Sequence, residues 1–131
     1  MIQLETGAFE AEELEAMLNT LPVDITFVGK DDTVRYFSQS KDRLFARTKA
    51  VIGKKVQQCH PQKSVDKVQQ ILDDFRSGKR DVAEFWLNMD AKLVYIRYFA
   101  VRNKDGNYLG TLEVSQDIAP IKKIEGEKRL P

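Results

Sequence analysis

The chain has 131 residues, 42% of them hydrophobic and 31% charged, which is typical of one folded domain with its own apolar core. A formal net charge of +1 argues against binding to nucleic acid or an anionic membrane surface, and no apolar run approaches the ~18 residues of a membrane-spanning helix. The single cysteine, Cys59, excludes an intrachain disulfide framework and, with no N-terminal signal core, favours the cytoplasm.

The first third of the chain predicts a helix followed by a β-hairpin. Residues 9–19 carry apolar side chains at helical spacing, and Pro22 ends the helix because the residue before proline disfavours the α conformation. These apolar side chains are Leu14, Met17 and Leu18, and Leu21 continues the same spacing just after them. Residues 23–28 and 33–37 are rich in strand-forming residues and flank a turn, so they predict two paired strands.

The middle of the chain predicts helices. Residues 40–46 suggest a short helix, and Gly53 interrupts the stretch that follows. Residues 64–77 predict a longer helix, with Ser64 at its start and Gly78 at its end. One face of this helix is apolar, formed by Val65, Val68, Leu72 and Phe75.

The last third predicts three strands. Residues 82–89 form the first, and residues 92–101 and 108–118 form a hairpin around Asp105-Gly106, a dipeptide typical of tight turns. The predicted order is therefore two strands, several helices and three strands.

Four local patterns, in this order along residues 14–125, resemble PAS sensor domains. They are the first hairpin at residues 25–37, the step at Ile52-Gly53-Lys54, the His60-Pro61 pair, and the closing Gly110-x-Leu-x-Val-x-x-Asp117-Ile118. The resemblance implies an α+β fold: a five-stranded antiparallel sheet with helices packed on one face, plus an N-terminal flanking helix. Residues 1–22 would be that helix, 23–119 the PAS-like domain, and 120–131 a linker or the start of a signalling helix.

The resemblance extends to an uncharacterised prokaryotic PAS group through residues 58–61 and 74–78. In that group the PAS module follows a hemerythrin-like domain, so we expect the natural protein to be longer. Two positions depart from the usual PAS pattern: Ser38 stands where Asn is common, and Ala119 stands where Thr is common. Asp117 keeps the carboxylate expected at the junction with the signalling helix.

Catalytic and cofactor motifs are weak. Cys59 and His60 are adjacent in sequence, and adjacent loop residues rarely face each other as a nucleophile and its base, so we expect no enzyme. Either residue could in principle bind a metal or heme iron. Heme-binding PAS domains, however, generally place the histidine in the long helix, and flavin-binding relatives have a different cysteine motif. A heme- or flavin-containing redox sensor therefore remains an alternative, and the cofactor is left open.

The aromatic and apolar strand residues suggest a ligand pocket between the sheet and the long helix. Its predicted lining is Phe27, Leu44, Val56, Val68, Leu72, Tyr98, Leu112 and Val114, with the Tyr98 hydroxyl as a polar contact. By strand alternation we expect Arg97 and Glu113 on the other face of the sheet.

A homodimer is the expected assembly, because an apolar helix stripe and exposed aromatic residues are typical of interfaces. Its predicted interface is Leu14, Met17, Leu18, Leu21, Trp86, Tyr95 and Arg97. The sequence thus predicts a PAS-type module that binds a small ligand or a partner, including other domains of a longer protein, and relays binding by conformational change. A ligand-free dimerisation module is the other alternative, and neither nucleic acid nor membrane is an expected partner.

Overall fold

A five-stranded antiparallel sheet forms the centre of the molecule, as expected for an α+β PAS-like fold. The structure is a computed structural model and describes residues 1–41 and 43–131. Its strands are β3 (Asp24–Gly29), β4 (Val34–Phe37), β5 (Val82–Met89), β6 (Lys92–Arg102) and β7 (Tyr108–Asp117). Their order in the sheet is β4-β3-β7-β6-β5, and each neighbouring pair is antiparallel.

The longer helix, α2 (Val65–Ser77), has nearly the predicted bounds. Gly78 ends it in the left-handed conformation, with φ of 78°, and its N–H group bonds back to the last turn. Ser64 occupies the N-cap position, but its hydroxyl donates to the Pro61 carbonyl at 3.1 Å and does not cap the helix. Two 3₁₀ segments, Lys49–Val51 and Val56–Cys59, precede the helix.

The N-terminus contains a small hairpin that the sequence reasoning missed. Strands β1 (Ile2–Leu4) and β2 (Gly7–Phe9) pair before helix α1 (Ala11–Thr20) begins. Each strand has three residues, too few for an alternating pattern to be recognised. A reciprocal capping box between Glu10 and Glu13 starts α1.

The predicted helix over residues 40–46 is wrong for the described residues of that segment, which have no helical structure; Asp42 lies outside the described residues. The reason is the buried Asp24 at the start of β3. Its Oδ2 accepts the N–H groups of Leu44 and Phe45 at 3.1 and 3.2 Å, and its Oδ1 lies 2.8 Å from the Arg43 guanidinium. Tertiary hydrogen bonds thus replace the intrahelical ones.

The two faces of the sheet are covered differently. Helix α2 and the 3₁₀ segments lie over one face, here called the inner face, whereas α1 lies against the opposite, outer face. Between α1 and the outer face runs an apolar groove of about 520 Å³, bordered by Leu14, Leu18, Ile25, Phe27 and Leu112 among others. The most deeply buried apolar side chains are Phe75 and Val94, so the core is centred on the inner face.

After β7 the chain makes a 3₁₀ turn, Ile121–Lys123, and the remaining residues have no regular secondary structure. None of the helices that the structure describes is long and apolar enough to span a membrane.

Candidate functional site

A small cavity of about 40 Å³ lies between the inner face of the sheet and helix α2. This volume has room for about three or four water molecules, because one water needs roughly 10–15 Å³. Its lining is mainly apolar on the helical side and partly polar on the sheet side. It comprises Thr26, Val28, Val34, Arg47, Val51, Val56, Cys59, His60, Ile71, Leu72, Tyr98, Thr111 and Glu113.

A half-buried ion pair occupies the sheet side of the cavity. The Arg47 guanidinium donates to the Glu113 carboxylate at 2.6 Å and to the Thr26 hydroxyl at 3.1 Å. Arg47 comes from the irregular segment before the first 3₁₀ turn, and Glu113 comes from the central strand β7. The pair therefore links the helical layer to the middle of the sheet.

Tyr98 lies next to this pair, opposite Glu113 in the β6–β7 ladder. Burial raises the pKa of Tyr98, and the neighbouring Glu113 carboxylate raises it further, while Arg47 opposes the effect only weakly. The phenol is protonated at physiological pH, as in any tyrosine, and the raised pKa keeps it a hydrogen-bond donor into the alkaline range. Cavity-facing groups thus include donors on Tyr98 and Arg47 and an acceptor on Glu113.

Cys59 and His60 lie at the border of the same cavity. The Cys59 thiol is 3.7 Å from the Lys55 carbonyl, and His60 Nδ1 is 2.9 Å from the Val56 carbonyl. Each side chain thus bonds to the backbone of its own segment. Among residues 1–41 and 43–131, no three His, Cys, Asp or Glu side chains cluster as metal ligands. Cofactor sites typically enclose roughly 300–1,000 Å³, so the residues present do not fit a heme or flavin in this cavity.

Three of the residues predicted to line a pocket meet at this cavity, namely Val56, Leu72 and Tyr98. Val68 is half-buried on α2 but is not part of the lining. Leu44 lies elsewhere, in a surface depression beside Asp117, because the segment that carries it is not helical.

The remaining predicted lining residues lie on the other face of the sheet. Phe27 and Leu112 pair across β3 and β7 and border the groove beneath α1, and Val114 shares their face by strand alternation. Glu113, expected on the outer face, points into the inner cavity instead. Tyr98 is paired with Glu113, so these two residues share a face and Leu112 cannot join them.

The polar lining residues Thr26, Arg47 and Thr111 were not found by sequence reasoning. The strand register, once known, places Thr26 opposite Glu113 and would have indicated a polar strip on the inner face. Arg47 carries no local signal, because it belongs to an irregular segment.

The residues predicted for a dimer interface all lie on the outer side of the molecule. Leu14 and Leu18 face the groove beneath α1, whereas Met17 and Leu21 are exposed. The other three residues lie on the outer face at strands β5 and β6. There Trp86 packs edge-on against Tyr95, and the Arg97 guanidinium lies 4.8 Å from the centre of the Tyr95 ring.

Asp117 connects the end of β7 to the residues that follow it. Its Oδ1 accepts the N–H of Leu93, at 3.2 Å, and the N–H of Ala119, at 3.0 Å. Ser38, where PAS domains often carry Asn, is fully buried and accepts the N–H of Ile25 at 3.0 Å. Its hydroxyl therefore ties the end of β4 to β3.

Comparisons with known proteins agree with this geometry. The sequence profile of the PAS domain family matches residues 14–119. The crystal structure of a C-terminal domain from Streptococcus mutans is 37% identical, covering 94% of this chain and 96% of that one, with a TM-score of 0.87. No curated protein gives a significant match.

More distant structures share the fold. The PAS domain of BvgS from Bordetella pertussis is 15% identical with a TM-score of 0.60, and the match covers 82% of this chain and 85% of that one. A sensory box sensor histidine kinase from Vibrio cholerae is 14% identical with a TM-score of 0.56, covering 81% and 89%. From the family profile and the Streptococcus mutans relative together, the chain belongs to the PAS domain family.

Proposed function

We propose that this PAS domain is a sensory module that accepts a small polar molecule in the inner cavity. The observation that carries the proposal is the half-buried Arg47–Glu113 pair beside the Tyr98 hydroxyl in a largely apolar cavity. Removing two charges from water is costly, and an apolar pair of similar volume would often stabilise a fold as well or better. A role in binding a polar ligand would explain why the Arg47–Glu113 pair is kept beside the cavity.

The chemistry of the cavity defines the ligand class. A molecule with one acceptor and one donor could accept from Tyr98 or Arg47 and donate to Glu113. The volume of about 40 Å³ limits it to roughly four non-hydrogen atoms unless the helical layer moves. This size favours a small ligand over the heme or flavin alternative.

The relay would run along strand β7. Glu113, Ser115 and Asp117 alternate on the inner face of this strand, so a shift at Glu113 can reach Asp117 without crossing to another element. Asp117 holds Ala119, two residues before the 3₁₀ turn, and thereby the direction of the chain that leaves the domain. Binding would bias the position of this exit.

Acetamide, which carries both a donor and an acceptor, is a suitable probe for an amide-resolved NMR titration. We expect saturable shifts at Thr111 and Glu113 and smaller ones at Leu93 and Ala119. Val56→Leu adds one methylene to the cavity wall and should abolish the shifts. Val82→Leu makes the same change at an exposed position and should leave them intact.

Shifts that persist unchanged in Val56→Leu would contradict binding in the cavity. Shifts at Glu113 without any at Leu93 and Ala119 would support binding but contradict the relay along β7.

A second candidate function is self-association without a ligand, favoured by the exposed Trp86 beside Tyr95 and Arg97 on the outer face. This proposal uses the interface predicted from the sequence, including Met17 and Leu21. Trp86→Ser should then shift sedimentation toward the monomer, whereas Leu109→Ser, at an exposed apolar residue away from this patch, should not.

We also propose that the domain is non-enzymatic and cytoplasmic, and that it belongs to a longer protein. The bonds of Cys59 and His60 to the backbone, and not to each other, support the absence of catalysis. The similar structure from Streptococcus mutans is a C-terminal domain, which supports a longer natural chain with further domains as partners. Loss of any measured turnover in Cys59→Ala or His60→Ala would overturn the non-enzymatic assignment.

A further inference from the structure

Strand β5 (Val82–Met89) is a free edge of the sheet without the features that usually protect one. It is eight residues long, contains no Pro, Gly or Lys, and pairs with β6 without any register shift. Natural edge strands are usually short, bulged, charged or covered, because their open backbone groups, the unpaired N–H and C=O groups, attract other strands. Edge strand β4 is covered: Val34 exchanges hydrogen bonds with Lys54 and Gly53, at 2.9 and 2.8 Å.

The direction of the open backbone groups follows from one hydrogen bond. Ala100 N–H donates to the Asp81 carbonyl at 2.9 Å, so odd-numbered positions of β5 direct their backbone groups toward β6. The even-numbered positions direct theirs away from the sheet; these are Val82, Glu84, Trp86 and Asn88. Within the part of the chain that the structure describes, no group bonds to them from that side.

Both faces of β5 expose large apolar side chains. Val82 and Trp86 on the outer face are 45% and 63% exposed, and Phe85 and Leu87 on the inner face are 38% and 40% exposed. The single charge in the strand, Glu84, accepts a hydrogen bond from Tyr95. A partner strand added at this edge would cover apolar surface on both faces and satisfy the open backbone groups.

We propose that β5 pairs antiparallel with β5 of a second copy of this chain, about a two-fold axis midway between the two Trp86 residues, to form a continuous ten-stranded sheet. A two-fold axis that relates two neighbouring antiparallel strands lies between them and is perpendicular to the sheet, so each residue stays on its own face of the sheet. An axis at Glu84 would instead place the Glu84 carboxylates of the two copies opposite each other, where they would repel.

The axis at Trp86 makes the strand complementary to itself. Glu84 then lies opposite Asn88 of the second copy, whose amide can donate to the carboxylate, and Phe85 lies opposite Leu87. Trp86 lies opposite its own copy, and Ala83 opposite Met89. Every apolar residue from 83 to 89 faces an apolar residue, and the only charge faces an amide. This complementarity identifies a second copy as the occupant.

Disulfide trapping tests this register. Glu84→Cys and Asn88→Cys are made in a Cys59→Ser background, singly and together. Residues 84 and 88 of one chain are about 13 Å apart along the strand, too far for a disulfide. In the proposed pair, position 84 of one copy and position 88 of the other are about 5.5 Å apart between Cα atoms, within disulfide range.

Under mild oxidation the double variant, and a mixture of the two single variants, should form a covalent dimer, whereas each single variant alone should not. Failure of the double variant to crosslink, or equal crosslinking by either single variant, would overturn the proposal.

A second measurement requires no crosslink. Asn88→Pro removes an N–H at the free edge without removing a bond to β6, and Asn88→Ala removes only the side chain. By sedimentation we expect the dimer of the proline variant to be at least about tenfold weaker than that of the alanine variant, with circular dichroism unchanged. Equal association of both variants would contradict pairing through the edge.

Discussion

Arg47 is the residue that joins the irregular helical layer to the central strand. Removing one member of this half-buried pair leaves the other charge partly shielded from water without its partner, which costs more than the pair contributes. We therefore expect Arg47→Met to lower the free energy of unfolding by about 1–3 kcal/mol, because Glu113 would remain in the interior without its cation.

The matched control for this change is Lys104→Met. Lys104 pairs with Glu5, but both side chains are exposed, so water replaces the lost contact and little stability should be lost. Urea denaturation of the two variants provides the comparison. Equal losses would show that the Arg47–Glu113 pair is screened by solvent like the surface pair.

Tyr98 makes stability depend on pH in the alkaline range. Its pKa in the folded state is raised above the ordinary value of 10.0, whereas the unfolded chain titrates near that value. Below pH 10 both states keep the proton; above it the unfolded state alone loses the proton. The free energy of unfolding should therefore fall by up to about 1.4 kcal/mol per pH unit above pH 10.

A Tyr98→Phe variant lacks this proton and should show a shallower decline above pH 10 than the natural sequence. Subtracting the two curves removes the contributions of lysines and of the other tyrosines. Parallel curves would mean that Tyr98 reaches solvent and is not held beside Glu113.

Strand β7 depends on Gly110 for its close approach to β3. A Cβ atom at Gly110 would lie 2.3 Å from the Val28 carbonyl oxygen and 2.8 Å from the Phe27 ring, so the backbone itself would have to move. This explains the glycine that begins the closing motif recognised in the sequence. We expect Gly110→Ala to lower stability by more than about 2 kcal/mol in thermal or chemical denaturation.

Gly29, directly opposite Gly110 in the ladder, is the matched control. The nearest atoms to a Cβ at Gly29 belong to the flexible side chains of Arg35 and Asp31, at 3.2 Å, so they can give way. Gly29→Ala should change stability by less than about 1 kcal/mol. Similar losses at both glycines would rule out the close approach as the cause.

The whole molecule depends on the N-terminal segment to cover its outer face. Without residues 1–20, the groove residues Ile25, Phe27 and Leu112 would lose the cover of α1. We expect this deletion to lower the melting temperature and raise the fluorescence of a dye that binds exposed apolar surface, because apolar area would be returned to water.

Deleting residues 124–131 is the control for deleting residues 1–20, since residues 124–131 are exposed. It should leave both the melting temperature and the dye fluorescence unaltered. An N-terminal deletion that has no effect on either measurement would show that α1 does not stabilise this domain.

Local patterns in the sequence were sufficient for the order of the main strands and for helix α2. Strand alternation, the Asp105-Gly106 turn and the Gly78 helix end act over a few residues, so their signals survive without the fold. The family resemblance rested on other short motifs, from the first hairpin to the closing Asp117-Ile118, and is confirmed. Where tertiary contacts compete, local patterns fail: Asp24 holds residues 43–45 out of a helix that their side chains alone favour.

The sequence by itself thus determined the order of the main elements, because turn chemistry and periodicity act locally. Its short motifs indicated the family, and the resemblance implied the α+β architecture. Only the tertiary structure decided which strand face meets α2, since alternation separates two faces without saying which is inside. That decision places Glu113 and Tyr98 in the cavity and Leu112 beneath α1. The cavity volume and the partner of Arg47 were decided there too, because both depend on side chains that are distant in sequence and meet only on folding.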